Sequence, residues 1–339
     1  MSLQDNGYEV GLGLQSDKTA ADYASLAVQA ESLGFDVVSV FSDLLYQPPL
    51  FALLEMARVT SRVRLGAACW NPYTLHPYEI AGQLAVLDRA SSGRAYLGLA
   101  RGSWLGQIGV PQPRPVAHLR EALAMIDALV AGSDEAVEGE LFPLAAGTRL
   151  RYPLPAVRPP VLVGTWGAQT AALAGEVADE VKIGGTANPA MVAVMDERIA
   201  VGRRRTGRAD DAVGIVVGAV TVVDEDGRAA RAHARTQVAM YLAVVAELDP
   251  TLTLPPGLVD EITALLATGD DEAAGRRVPD DVLDLFAFSG TPDQVAVQAQ
   301  SLLDAGARRV EFGTPHGLTD AGGVELLGRR VLPQLHAAG

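Results

Sequence analysis

Short apolar runs alternate along the chain with longer segments whose apolar residues recur at helical spacing. Residues 8–14 read as a strand. Thr19 and Asp22 are placed to form a capping box, and Tyr23, Leu26, Ala27, Ala30 and Leu33 share one helical face before Gly34 stops the helix. The beat repeats as strand 37–41 and helix 50–60, strand 63–68 and helix 77–89, strand 95–100 and helix 117–130. It continues as strand 161–164 and helix 168–177, strand 180–183 and helix 189–207, then strand 213–223. Thr291-Pro-Asp-Gln294 opens a late helix, with a Thr cap, Pro in the first turn and Gln at the third position. Residues 309–312 read as the last strand, and a closing helix covers roughly 323–332 before Pro333.

Two stretches break the rhythm. Residues 136–158 carry Pro143, Pro153, Pro155, Gly139 and Gly147 and read as a loop or hairpin, whereas 226–283 read as helical and acidic. Standing before strands five and eight, they are expected to shape a pocket roof. Eight strands, most followed by a helix, predict a parallel sheet of the α/β class. Eight such units in one chain favour a closed (β/α)8 TIM barrel over an open sheet. No low-complexity linker or short repeat divides the chain, so 1–339 reads as one barrel domain with two excursions. Function is then expected on the loops after the strands' carboxyl ends.

Those loops are informative. After strand two comes Ser42-Asp43; Asp43 is either an N-cap for the next turn or a site group. Strand three leads into Cys69-Trp70-Asn71-Pro72-Tyr73, and strand four into Arg101-Gly102-Ser103-Trp104. Gly164-Thr165-Trp166-Gly167 and Gly184-Gly185-Thr186 both run into helices. Such glycine turns are either a phosphate cradle, built from free N–H groups and helix dipoles, or simply tight βα turns. Neither matches GxGxxG or a Walker loop. His76, His118, His233, His316 and His336 never stand at ligand spacing with a carboxylate or cysteine, so no metal site is expected, and His76 reads as structural. No nucleophile elbow or HExxH occurs.

Charge narrows the classes. The chain has 27 basic and 41 acidic residues, net −14, which disfavours nucleic acid and anionic membrane surfaces. Apolar residues make up 49%, enough for a large core. The single Cys69 forbids an intrachain disulfide. The longest uncharged apolar run, 213–223, is too short to span a bilayer, and the N-terminal segment has no basic region followed by an apolar stretch. The expectation is a soluble, cytoplasmic protein acting on a small molecule.

At this point the residues resemble a known group. LGAACWNPYTLHP (65–77), LDRASSGRAYLGLARG (87–102), RPVAHLREAL (114–123), 163–189 with its AGEVAD helix and GG-T-A-NP turn, FAFSGTPDQV (286–295) and EFGTPHG (311–317) are similar to the bacterial luciferase-like superfamily. Within it they resemble the F420-dependent methylenetetrahydromethanopterin reductases. The resemblance implies a barrel holding a flavin or deazaflavin at its carboxyl end and hydride transfer at the deazaflavin C5. It also implies a cis peptide between Ala68 and Cys69 whose bulge backs the ring. On matching positions, Ala67, Ala68, Cys69 and Asn71 would lie by the ring, and Asp43 by its hydroxyl edge as the candidate catalytic group. Trp166, Gly167, Gly184, Gly185 and Thr186 would hold the phosphate, with Gly164 also at the cofactor; from charge alone, Lys182 or Arg101 is expected nearby.

The chain also departs from the reductases. Their strand-one carboxylate aligns with Gly13, and Leu44 replaces the histidine after the strand-two acid. A substrate pocket of Gly13, Trp70, Arg101, Ser103 and Trp104 would be more apolar. The expectation is an F420-dependent oxidoreductase acting on a small organic substrate other than methylenetetrahydromethanopterin. The alternatives are an FMN-dependent monooxygenase on the same fold, or a non-catalytic cofactor-binding barrel. Family habit implies a homo-oligomer built through the early helices.

Overall fold

A computed structural model describes residues 7–337. The readings over 1–339 and of the N-terminal leader include residues 1–6 and 338–339, which lie outside the described residues. The strands are β1 (Glu9–Leu14), β2 (Val37–Val40), β3 (Arg64–Ala67), β4 (Leu97–Ala100), β5 (Val161–Gly164), β6 (Glu180–Gly184), β7 (Gly214–Val223), β8 (Ala287–Gly290) and β9 (Arg309–Gly317). All pair in parallel, in the order β3-β2-β1-β9-β7-β6-β5-β4. The ring closes between β3 and β4, where Tyr96 N donates to Leu65 O at 3.0 Å and Trp70 N to Gly98 O at 3.0 Å. Leu65 faces Ala95 and Trp70 faces Leu99, so the first stretch holds one residue more and bulges. The Ala68–Cys69 peptide in that bulge is cis, as the resemblance implies.

Helices α1 (Ala20–Leu33), α2 (Pro49–Val59), α3 (Pro77–Ala90), α4 (Pro115–Ala131), α5 (Ala168–Val177) and α6 (Ala190–Thr206) follow the first six strands. The expected Thr19–Asp22 capping box is present, and Gly34 ends α1 in the left-handed region at φ 95°. His76 caps α3 by accepting from Tyr78 N, the structural role read for it.

Three expectations need correction. First, residues 287–290 form a ninth strand, β8, which pairs with the upper half of β7 on the edge that β6 occupies lower down. AFSG carries only two apolar residues and ends in glycine, too little to register as a strand. Second, β9 runs on to Gly317 through a cis Thr314–Pro315 peptide. The closing helix, α12 (Asp320–Leu326), starts earlier than expected and continues as a π-turn over Leu327–Val331. Third, excursion 136–158 packs along the outside of α3 and α4 over their whole length, beginning at their N-terminal ends, where Phe142 lies edge-on to His76 and His118. Its Tyr152 Oη fills the space a side chain at Gly82 would need, and Leu154 packs by Gly132 at the far end of α4.

The second excursion holds α7 (Gly227–Val245), α8 (Leu258–Ala267), α9 (Asp271–Arg277) and α10 (Asp280–Phe286) around their own apolar cluster, including Val238, Leu242, Ile262 and Phe286. It docks on the loop after β6. Ala187 N donates to Leu285 O at 2.9 Å, and Asn188 Nδ2 donates to Asp249 Oδ2 and Thr251 Oγ1 at 2.8 Å each. Thr291 and Gln294 form the expected capping box of α11 (Pro292–Asp304).

The barrel axis is filled with charge. Strands β6 and β9 read EVKIG and RVEFG, so their charged residues alternate and share one face. That face points inward. Arg309 Nη1 lies 3.0 Å from Glu180 Oε1, which also receives Arg64 Nη2 at 3.0 Å. Above them Lys182 Nζ pairs with Glu311 Oε1, and Ser39 Oγ donates to Glu311 Oε2 at 2.8 Å. Burial opposes ionisation of Glu180 and Glu311, yet the neighbouring cations hold both carboxyls below their usual range.

Two measurements test this interior. Lys182→Met leaves Glu311 buried without its nearest cation and is expected to cost about 3–5 kcal/mol. Adding Glu311→Gln should recover much of that loss in urea unfolding; costs that simply add would disprove the coupling. The second concerns His316, fully buried, whose Nε2 donates to Gly13 O at 3.0 Å. Burial lowers its pKa from 6.5 to about 4. The unfolded chain therefore binds a proton that the folded chain refuses between those values, and stability falls as pH drops through that window. The slope for this group is at most about 1.4 kcal/mol per pH unit. His316→Asn, which tolerates the left-handed φ of 71°, should flatten that stretch of the stability profile.

Candidate active site

The carboxyl ends of the strands form a mouth kept open by glycine. A Cβ at Gly184 would meet nothing within 4 Å, whereas one at Gly164 would lie 3.0 Å from Cys69 Sγ. One at Gly13 would lie 2.7 Å from the Phe41 ring and 3.1 Å from Glu311 Oε1. The floor is thus Phe41, Cys69 and the Lys182–Glu311 pair, with Lys182 Nζ 5.2 Å from the Phe41 ring centre. Burial pushes the Cys69 thiol up to about 12, so it stands there as a neutral wall and not a nucleophile.

Asp43 sits above this floor, half-buried, and accepts from Gln15 Nε2 at 2.9 Å. Burial raises its pKa, against the Gln15 hydrogen bond and the Lys182 charge. Asp43 opens the turn that follows, but through its backbone, Tyr46 N donating to Asp43 O at 3.3 Å, while its carboxyl turns to Gln15 and does not cap that turn.

Other expected residues lie differently. Trp70 is wholly buried in the core, where it packs and walls no open pocket. Asn71 turns its Oδ1 to its own loop, accepting from Tyr73 N at 3.1 Å and Thr74 N at 2.9 Å. Arg101, Ser103 and Trp104 are exposed on the rim after β4. Ala67 is buried in β3, and Ala68 begins the bulge. Lys182 lies inside the barrel and not beside the glycine turns.

The two glycine turns prove unequal. Trp166 joins them, its Nε1 donating to Gly184 O at 3.0 Å. In the turn after β6, however, Gly185 N and Thr186 N both donate to Gly218 O, at 2.7 and 3.2 Å, and Asn188 N donates to Thr186 Oγ1 at 3.0 Å. Those N–H groups are spent, Thr186 is buried, and a side chain at Gly185 would press on Val245 at 3.2 Å. This turn is a tight βα connection clamped by the second excursion. The α5 end is less occupied: Gly167 is its N-cap and its own N–H goes to Thr165 Oγ1 at 3.0 Å, but Gly167, Ala168 and Gln169 are exposed, and no side-chain bond from the cap residue closes the first turn.

Sequence reasoning missed Gln15, Phe41 and Glu311 and misplaced Lys182. The signal was available in the charge alternation of EVKIG and RVEFG, because charge every second residue in a buried strand marks an inward polar face. A half-open cavity of about 460 Å³, lined mainly by apolar residues such as Leu97, Leu123 and Val161 with Arg120, Asp127 and Arg158 beside them, lies outside the barrel wall. Among the described residues no group of three or more His, Cys, Asp or Glu side chains could hold a metal, and no helix is long and apolar enough to cross a membrane. The mouth therefore brings together an aromatic ring, a thiol, a buried ion pair, one carboxyl and the N-terminal end of α5.

Comparison with known proteins gives the same architecture. A 5,10-methylenetetrahydromethanopterin reductase of Archaeoglobus fulgidus is 29% identical over 316 residues, covering 90% of this chain and 93% of its own. The solved F420-dependent tetrahydromethanopterin reductase of Methanopyrus kandleri superposes with a TM-score of 0.87 at 26% identity, over 97% of this chain and 99% of that one. An FMN-bound Baeyer–Villiger monooxygenase component from Pseudomonas putida shares the fold alone, with a TM-score of 0.67 at 16% identity over 98% and 99%. The luciferase-like monooxygenase profile matches residues 6–309, from the edge of the first strand to the start of the last, and by that match this chain belongs to the luciferase-like monooxygenase family.

Proposed function

We propose that this protein is a coenzyme F420-dependent oxidoreductase that moves a hydride between the deazaflavin and a small organic substrate, acting as a single barrel domain. The observation that carries this reading is the near full-length likeness to F420-dependent reductases, and the carboxyl of Asp43 and the exposed N-terminal end of α5 at the strand ends support it. The bound deazaflavin would supply hydride transfer at its C5. The residues of this chain hold it in place and shield it from water. Ala67, Ala68 and Cys69 would back the ring, Asp43 would meet its hydroxyl edge, and Gly164, Trp166 and Gly184 would wall it. The phosphate would sit at Gly167 on the α5 N-terminus. Where the reductases carry a strand-one carboxylate, Gly13 leaves its place to Phe41 and Glu311, and Trp104 is exposed on the rim. These changes support a less polar substrate than methylenetetrahydromethanopterin. The exposed Phe51 on α2 and Tyr78 on α3 are consistent with self-association through the early helices.

Titration of the purified protein with F420 should quench deazaflavin fluorescence saturably. Co-purified FMN that F420 cannot displace would overturn this reading in favour of the monooxygenase, and binding of neither would favour a non-catalytic barrel. Gly167→Asp separates site from fold, because a carboxylate there caps α5 yet repels a phosphate. The expected result is a melting temperature at or above that of wild type with F420 affinity lowered about tenfold or more. Unchanged affinity would remove the phosphate from α5. Asp43→Ala should lower kcat roughly 100-fold without altering the melting temperature, and full activity would reduce Asp43 to a support for Gln15.

A further inference from the structure

Beyond its phosphate, F420 carries a lactyl group and a run of γ-linked glutamates, with one free carboxylate on each and a second on the last. Such a tail needs cations outside the barrel mouth, and a group of arginines stands beside the N-terminal end of α5. A surface depression of about 580 Å³ lies between α4, α5 and α6. It starts at Ala168 and Gln169, at the exposed α5 N-terminus, and is lined by Arg120, Arg198 and Arg205 over small apolar residues such as Ala172 and Val201. From Gln169 to Glu176 the helix descends about 10 Å, room for a few extended glutamates.

The three arginines outnumber the carboxylates beside them. Glu176 is shared by two of them, Arg120 Nη1 at 2.7 Å and Arg205 Nη1 at 3.1 Å. Both guanidinium side chains remain about half exposed, at 49% and 60%, with most of their N–H groups unspent. Arg198 donates to Trp166 O, which fixes it one residue before Gly167. Glu197 is the other acid on the lining. The row therefore begins at the phosphate position and carries surplus positive charge away from it.

We propose that this depression is a subsite for the anionic oligoglutamate tail of F420, an assignment that rests on the F420 reading above. Arg198 takes the first carboxylate past the phosphodiester, and Arg120 and Arg205 take those further along the row. FMN ends at its phosphate, so the subsite adds affinity for F420 alone.

The test compares two ligands on the intact wild-type protein by fluorescence titration: F420 with its glutamates, and F420-0, which ends at the lactyl group. The tailed form should bind about tenfold tighter at low salt. That advantage should shrink at about 0.5 M salt, where exposed charges are screened. In Arg120→Gln/Arg205→Gln the affinity ratio should fall to about one. Equal affinities in the wild type would overturn the tail subsite and leave the F420 reading standing, and an unaltered ratio in the double variant would overturn this assignment of the arginines. Binding of neither form would overturn both readings.

Discussion

The structure depends on a column of ions inside a parallel barrel. Barrels of this kind are ordinarily plugged by branched aliphatic side chains. Here Glu9, Arg64, Glu180 and Arg309 form the lower layer, with Lys182 and Glu311 above. Removing such groups from water costs several kcal/mol per ion, and the loss is offset only while each keeps its opposite partner. The partners come from β1, β3, β6 and β9, on different sides of the ring. The ions are therefore tolerable only in a closed barrel.

The column also dictates where glycine must stand. Large side chains from β6, from β9 and from Tyr96 just before β4 crowd the interior, so neighbouring strands have to yield. A side chain at Gly66 would lie 2.5 Å from the Tyr96 ring, one at Gly11 3.1 Å from Glu311 Cγ, and one at Gly218 3.4 Å from Lys182 Cε. The same exchange reaches the mouth at Gly13, where Phe41 and Glu311 fill the space. An acid on strand one and an acid on strand nine compete for one volume. This chain holds the second, which leaves the upper mouth apolar above a paired charge.

Much of this is legible in the amino-acid sequence. Eight of the nine strands, the barrel, the bulge at Ala68–Cys69 and the Thr19 and Thr291 caps followed from local pattern or from the resemblance. What escaped detection depends on distant parts of the chain. The turn at Gly185 looks like an anion cradle in sequence. It is closed by Gly218 O and by Leu285, the latter from an excursion 100 residues further on. Trp70 stands at a strand end like a pocket residue, yet the bulge turns it into the core. Lys182 was legible as a charge but not as half of an ion pair, because its partner Glu311 lies in the last strand.

Net charge gains its meaning from this geography. A chain of −14 repels an anionic cofactor at long range, but screening confines that repulsion to within about 10 Å of each exposed charge. Recognition of an anion then depends on local order. The barrel's own cations are locked to Glu180 and Glu311 inside the ring, so they are not free to serve. Positive potential at the surface must come from elements outside the strands: the exposed end of α5 and the arginines of α4 and α6 beside it. The interior charge makes the fold, and the exterior charge is left to choose the ligand.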